Sequence, residues 1–174
     1  MRRSAAGALI ALLAAGAVLT GSPAAHAATA RTDLAPEILA QQNQERAARG
    51  LAPFATSSTL TAIAQEWAVV LADRNQISHR DISWVLANSG GLVAVGENLA
   101  ASSETTGSTT NNLLNSPAHR QNMLNPYFDV AGVGVACTAS GMLFVVVNYG
   151  QRSGVGQPSP GIPAASPQVV SPDS

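Results

Sequence analysis

Ser116-Pro117-Ala118-His119-Arg120-Gln121-Asn122-Met123-Leu124 reads as a helix start that delivers a histidine. Ser116 is a capping residue type, and Pro117 suits the first helical position, where its missing N–H is no loss. A short helix to about Leu124 follows. Upstream, Gly96-Glu97-Asn98-Leu99-Ala100 sets a carboxylate between glycine and asparagine. The Ser/Thr/Gly-rich stretch from Ala101 to Thr110 reads as a loop leading into a helix of unspecified start. Downstream, Val130 to Ala136 and Met142 to Tyr149 are apolar and β-branched. A turn at Ser140-Gly141 joins them as an antiparallel hairpin.

Further upstream the periodicity is helical. Pro36 to about Arg49 forms a first helix, with Ile38, Leu39 and Gln42 one turn apart and Gly50 at its end. Ala52-Pro53-Phe54 is a connector. Ser57 or Ser58 caps a second helix that runs to about Asn75. It places Leu60, Ile63, Ala64, Trp67 and Leu71 on one face, with Trp67 read as a core anchor. His79 lies just past it, Ile82 to Leu86 suits a short helical turn, and Gly90-Gly91 breaks the pattern. The expected core is Trp67, Leu60, Leu71, Val133, Val135, Phe144 and Val146.

The ends carry other signals. Met1-Arg2-Arg3, the apolar run Ala8 to Leu19 and the small residues of Ala25-His26-Ala27 have the order of a secretory signal peptide, cleaved after Ala27. Residues 28–33 are then a short lead-in and 34–152 a single domain. Residues 153–174 hold five of the ten prolines and read as a disordered tail. The mature chain is expected to be a secreted monomer with no membrane span. Losing Arg2 and Arg3 leaves seven arginines against ten acids, a formal charge of about −3. No basic stripe is visible, which argues against nucleic acid as a partner. Cys137 is the only cysteine. It has no intrachain partner and reads as a buried strand residue.

Once His26 has left with the signal peptide, His79 and His119 are the remaining histidines. With Glu97 they offer two imidazoles and a carboxylate, a donor set for a divalent cation such as zinc. The same three side chains equally suit a hydrogen-bonded cluster around a polar ligand. Their separations match no short zinc motif. No G-x-S-x-G elbow or glycine-rich phosphate loop occurs, and Ser116 is explained by its cap position.

Taken in order, these segments resemble the CAP (cysteine-rich secretory, antigen 5, pathogenesis-related 1) superfamily in its bacterial secreted branch. Gln42-Asn43-Gln44-Glu45-Arg46 with Gly50-Leu51-Ala52-Pro53-Phe54 is similar to its first helix and exit. Leu60 to Ala72 resembles its second helix, His79 its first histidine, and Gly96-Glu97-Asn98-Leu99-Ala100 its G-E-N motif. Ser116 to Leu124 resembles its S-P-x-H-R-x-N signature. Gly132-Val133-Gly134 and Asn148-Tyr149-Gly150 are similar to its late strands. The resemblance implies an α+β fold, a three-layer α-β-α sandwich with a mainly antiparallel central sheet and an open cleft.

That cleft typically holds two histidines and two glutamates. His79, Glu97 and His119 fill three of the places. Glu104, the only acid between Glu97 and His119, lies in the loop-like stretch, and Leu113 stands where tryptophan is common. The resemblance implies a non-enzymatic binding module for a small molecule, a lipid, a cell-envelope component or a weakly held divalent cation. The alternative is a metal-assisted or His/Glu acid–base hydrolase of protease type. Glu97 is expected to accept a hydrogen bond from an imidazole, that of His119 in the first instance. A chain truncated after Arg152 should melt within about 1 °C of the full chain, because a Pro-rich terminus contributes little buried surface. A large drop in a calorimetric scan would show that the tail docks.

Overall fold

The computed structural model describes residues 27–103 and 106–154. The proposed signal peptide, almost all of the Pro-rich tail, and Glu104 lie outside them. In chain order the elements are β1 (Thr29–Ala30), α1 (Ala35–Ala47), β2 (Ala55–Thr56), α2 (Ser58–Arg74), α3 (Ile82–Ala87), β3 (Ala94–Ser102), α4 (Thr106–Asn115), α5 (Pro117–Met123), β4 (Val130–Cys137) and β5 (Leu143–Gln151).

The sheet has the order β1-β4-β5-β3, with β2 also pairing with β4. β4 and β5 form the expected hairpin, turning through Gly141 at φ +88°, and β3 runs antiparallel to β5 from Ala94–Gln151 to Ser102–Leu143. β2 on β4 is the parallel pair. Strand alternation splits the core in two. Ala131, Val133, Val135, Val145, Val147 and Tyr149 face Ile38 of α1, Leu113 of α4 and Met123 of α5. Ala136, Phe144, Val146 and Leu99 face Ala64, Ala68 and Leu71 of α2. Val85 of α3 joins Leu60, Ile63 and Val95 on that second side. The result is the mixed α-β-α sandwich that the resemblance implied.

α2 lies directly on β4 because that strand carries glycine at positions 132 and 134 beneath it. A Cβ built at Gly132 would collide with the backbone at Leu60 and Thr61, and one at Gly134 with the backbone at Ala64 and Gln65. Gln65 then reaches β4 between its pairings with β1 and β2, where its amide donates to the carbonyl of Val135 at 2.8 Å and accepts from its N–H at 3.1 Å.

On the opposite face the core is partly polar. Arg46 is 1% exposed. Its guanidinium donates to the carbonyls of Ala52 (2.7 Å), Met123 (2.9 Å), Asn125 (2.9 Å) and Phe128 (3.1 Å), and lies over the Phe54 ring at 3.8 Å. Burial pushes its pKa down to about 10. Four carbonyl dipoles and an aromatic face compensate the buried charge. They tie α1 to the segment leaving α5.

Several sequence expectations need correction. The lead-in at 28–33 contains β1, whose pairing to Cys137 and Ala136 adds an edge strand. The loop expected over 101–110 is shorter, since β3 continues to Ser102 and α4 begins at Thr106. Thr106 and Thr110 donate to Glu37 (2.7 Å) and Gln41 (2.8 Å) of α1, so polar packing holds a helix there that composition alone disguised. Ser116 occupies the N-cap position without a side-chain cap bond. Cys137, at the end of its strand, is half-buried and not enclosed. Leu60, Leu71, Val133, Val135, Phe144 and Val146 are buried as expected, whereas Trp67 sits half-buried at the rim of the α2 cluster.

Replacing Gly134 with alanine should destabilise the protein by about 3 kcal/mol, because rigid backbone occupies the space the new methyl needs. Urea denaturation would measure it. A change under about 0.5 kcal/mol would show that α2 lifts off the sheet at little cost.

Candidate functional site

Glu97 lies on β3, and alternation turns it to the α2 side with Val95 and Leu99. α2 ends at Arg74, with Asn75 closing it in the left-handed region at φ 48°. The chain then drops to the sheet and restarts at α3, where Asp81 caps by accepting from the N–H groups of Ser83 (2.9 Å) and Trp84 (3.3 Å). This connection delivers His79 to Glu97.

His79 Nδ1 stands 2.7 Å from Glu97 Oε1, and the backbone N–H of Arg80 donates to the same oxygen at 3.2 Å. The Glu97 side chain is 2% exposed and that of His79 25%. A neutral imidazole bonded in this way donates from Nδ1 and carries its lone pair on Nε2. Both that Nε2 and Glu97 Oε2 are buried without a hydrogen-bond partner among the described residues.

His119 arrives from the other layer. Asn98, next to Glu97 but pointing to the opposite face, donates from Nδ2 to the His119 carbonyl at 2.8 Å and to the Tyr149 hydroxyl at 3.1 Å. Tyr149 in turn donates to Gln42 of α1 at 3.0 Å. Asn122, one turn along α5 from His119, donates to the Glu97 carbonyl (3.2 Å) and to Asn98 Oδ1 (3.0 Å). Two adjacent β3 residues therefore fix the two histidines from opposite sides of an edge strand. Burial of the Tyr149 phenol raises its pKa, so the ring stays protonated as a donor.

The His119 pKa is lowered from 6.5, first by burial and then by the nearby charge of His79. The two imidazoles are thus within electrostatic reach of each other. Like that of His79, the His119 Nε2 is buried without a partner.

Two expectations change. The partner of Glu97 is His79 and not His119, because Glu97 faces the α2 layer that releases His79, while α5 packs beside Asn98. Among the described residues, no three His, Cys, Asp or Glu side chains are grouped so as to hold a metal ion. The three-ligand set His79, His119 and Glu97 is not assembled. Glu97 is instead the group that orients one imidazole through its Nδ1.

The supporting residues were quoted in the motifs without roles. Gln42 and Arg46 follow Ile38 at intervals of four, so polar side chains continue the buried stripe of α1. That placement was their signal.

Because the folded state disfavours protonated His119, stability should fall as pH drops below 6.5 and level off beneath the lowered native pKa. The unfolded chain binds the extra proton in that window. A His119→Gln variant should show a flatter urea-midpoint profile there. An unchanged profile would mean His119 is freely solvated.

Comparison with known proteins agrees with this fold. Residues 39–149 match the sequence profile of the CAP group described as the cysteine-rich secretory protein family. The YkwD protein of Bacillus subtilis is 32% identical over 98 residues, 53% of this chain and 38% of that protein, so the match spans well under half of that relative. Among solved structures, an outer surface protein of Borrelia burgdorferi superposes with a TM-score of 0.62 at 22% identity, over 67% of this chain and 91% of that one. An extracellular SCP-domain protein of Bacillus anthracis gives 0.58 at 24%, over 69% and 41%. Venom allergen-like protein 4 of Schistosoma mansoni gives 0.56 at 15%, over 70% and 90%. At these identities the structural likeness is one of fold.

Proposed function

This chain belongs to the cysteine-rich secretory protein (CAP) family, and from that premise we propose that it is a secreted, non-enzymatic binding module whose ligand is received by His79 and His119. The observation that carries the reading is the 2.7 Å contact of His79 Nδ1 with Glu97. It commits Nδ1 and leaves the buried Nε2 without a partner among the described residues, a condition that His119 Nε2 shares. Carboxylate, imidazole and outward lone pair form the outer support found behind metal-binding histidines.

The donor set fits a divalent cation of the zinc type held by two imidazoles, with water or a polar ligand completing the coordination. Two protein ligands hold such an ion weakly, which suits a site that exchanges its ligand. Glu97 Oε1 is engaged by His79 and by the Arg80 N–H, so this carboxylate serves as an orienter and not as a free general base. That arrangement favours binding over the hydrolase alternative. The names of two solved relatives, an outer surface protein and an extracellular protein, support an extracellular location, as does the leader-like start of the chain. Among the described residues, no helix is long and apolar enough to cross a membrane.

Zinc titration by calorimetry tests the proposal. His79→Ala and His119→Ala should each abolish measurable binding, while Glu97→Gln should weaken it roughly 10- to 100-fold. Affinity should fall as pH is lowered through about 6.5, because protons compete for the imidazoles. Zinc binding that is indifferent to either histidine would overturn the assignment.

A further inference from the structure

His79 is held from both sides by the chain's two tryptophans. The Trp67 indole N–H donates to the Ser78 carbonyl, immediately before His79, at 2.9 Å. Immediately after it, the Arg80 guanidinium stacks on Trp84 at 3.7 Å and faces Trp67 at 5.5 Å. Arg80 NH2 also donates to Glu66 of α2 at 3.2 Å. The Arg80 side chain is 14% exposed although it lies in the connection between α2 and α3. Its backbone N–H is the second donor to Glu97 Oε1. Arg80 is thus held at both ends, its guanidinium between two rings and its N–H on the carboxylate that contacts His79, which restricts the backbone next to His79.

We propose that Arg80, clamped between Trp67 and Trp84, is the positioning residue of the site: it sets the His79 imidazole against Glu97 and thereby aims Nε2. Three contacts enforce this over three residues, namely Trp67 to Ser78, Arg80 to Trp84, and the Arg80 N–H to Glu97, whereas the Arg80–Glu66 pair is solvent-exposed on its glutamate side and adds little. The rim position of Trp67 has the same explanation, since a fully buried indole would not reach the Ser78 carbonyl. The clamp rests on the reading of His79 as a ligand-receiving group, but its geometry holds whatever the ligand.

The test is long-range ¹H–¹⁵N NMR of the histidine rings in the full chain. In the parent protein His79 should show the Nδ1–H tautomer with a slowly exchanging Nδ1 proton. Arg80→Ala should lose that proton signal and mix the tautomers. Arg80→Lys, which keeps a cation for the tryptophans, should restore much of it. Glu66→Ala removes only the exposed ion pair and should leave it intact. Trp84→Ala, at a half-exposed position, repeats the test should Arg80→Ala fail to fold, and circular dichroism melts confirm folding of each variant. Zinc affinity should fall roughly 10-fold in Arg80→Ala, in the manner of an outer-shell residue. A folded Arg80→Ala or Trp84→Ala protein with the parent tautomer and proton signal would overturn the clamp. Absence of zinc binding in the parent, with the NMR changes as expected, would instead defeat the ligand reading and leave the clamp standing.

Discussion

The seating of α2 on side-chain-free strand is the constraint from which the site follows. Ordinary helix-on-sheet packing keeps the two backbones about 10 Å apart, because side chains fill the gap. Here Gly132 and Gly134 remove one side of that filling, and the helix backbone at Leu60, Thr61, Ala64 and Gln65 occupies the space. α2 is therefore low at its start, and its small residues Ala64 and Ala68 keep it low along its length. A helix riding higher would release its C-terminus above the sheet, and the connection to α3 would have to descend further. At its actual height the chain from Asn75 to Asp81 reaches Glu97 in a few residues. The 2.7 Å contact at His79 is thus a consequence of packing that occurs on a different strand.

The other layer solves a different problem. α5 is short, has no side-chain cap bond, and yet must present His119. Its position comes from polar groups buried between layers. Asn98 links its first turn to Tyr149, Tyr149 links that to Gln42, and Arg46 gathers the carbonyls at its end. Each of these groups would be costly if left unpaired in the core. Asn98, Tyr149 and Gln42 are bonded in a chain and Arg46 to four backbone carbonyls, so the network tolerates few alternative arrangements. A wholly apolar interface would supply similar burial without specifying the rotation of α5. The buried charge on Arg46 and the protonated phenol of Tyr149 therefore act as locating pins.

The sequence made much of this legible, and the omissions have physical causes. The apolar, β-branched runs Val130 to Ala136 and Met142 to Tyr149 were readable because both faces of the hairpin are buried. β3 escaped assignment because Glu97 and Asn98 interrupt its apolar run, and those are the residues with functional positions. β1 and β2 are two residues long, below the length at which alternation can be read. α4 was hidden by its threonines, which are helix-neutral but satisfied by Glu37 and Gln41. The residue types of the site were readable from the motif order, since ordered fragments constrain one another. The pairing within it was not. Motif order carries no information about which face of an edge strand a histidine approaches, and Glu97 and Asn98 are adjacent in sequence while facing opposite layers.

That opposition explains why the site sits at the edge of the sheet. Two imidazoles delivered from different layers can approach each other only beyond the last strand, and β3 is that strand. Placed within one layer, both would share the same hydrogen-bonding surroundings. Here the surroundings differ. His79 has a carboxylate at Nδ1, whereas His119 is held through its backbone carbonyl and its ring is left to burial and to the charge of His79. One imidazole is thereby oriented by a charged partner and the other kept neutral by its environment. The layered fold supplies this asymmetry directly, because an edge strand exposes two chemically independent faces within a single residue step.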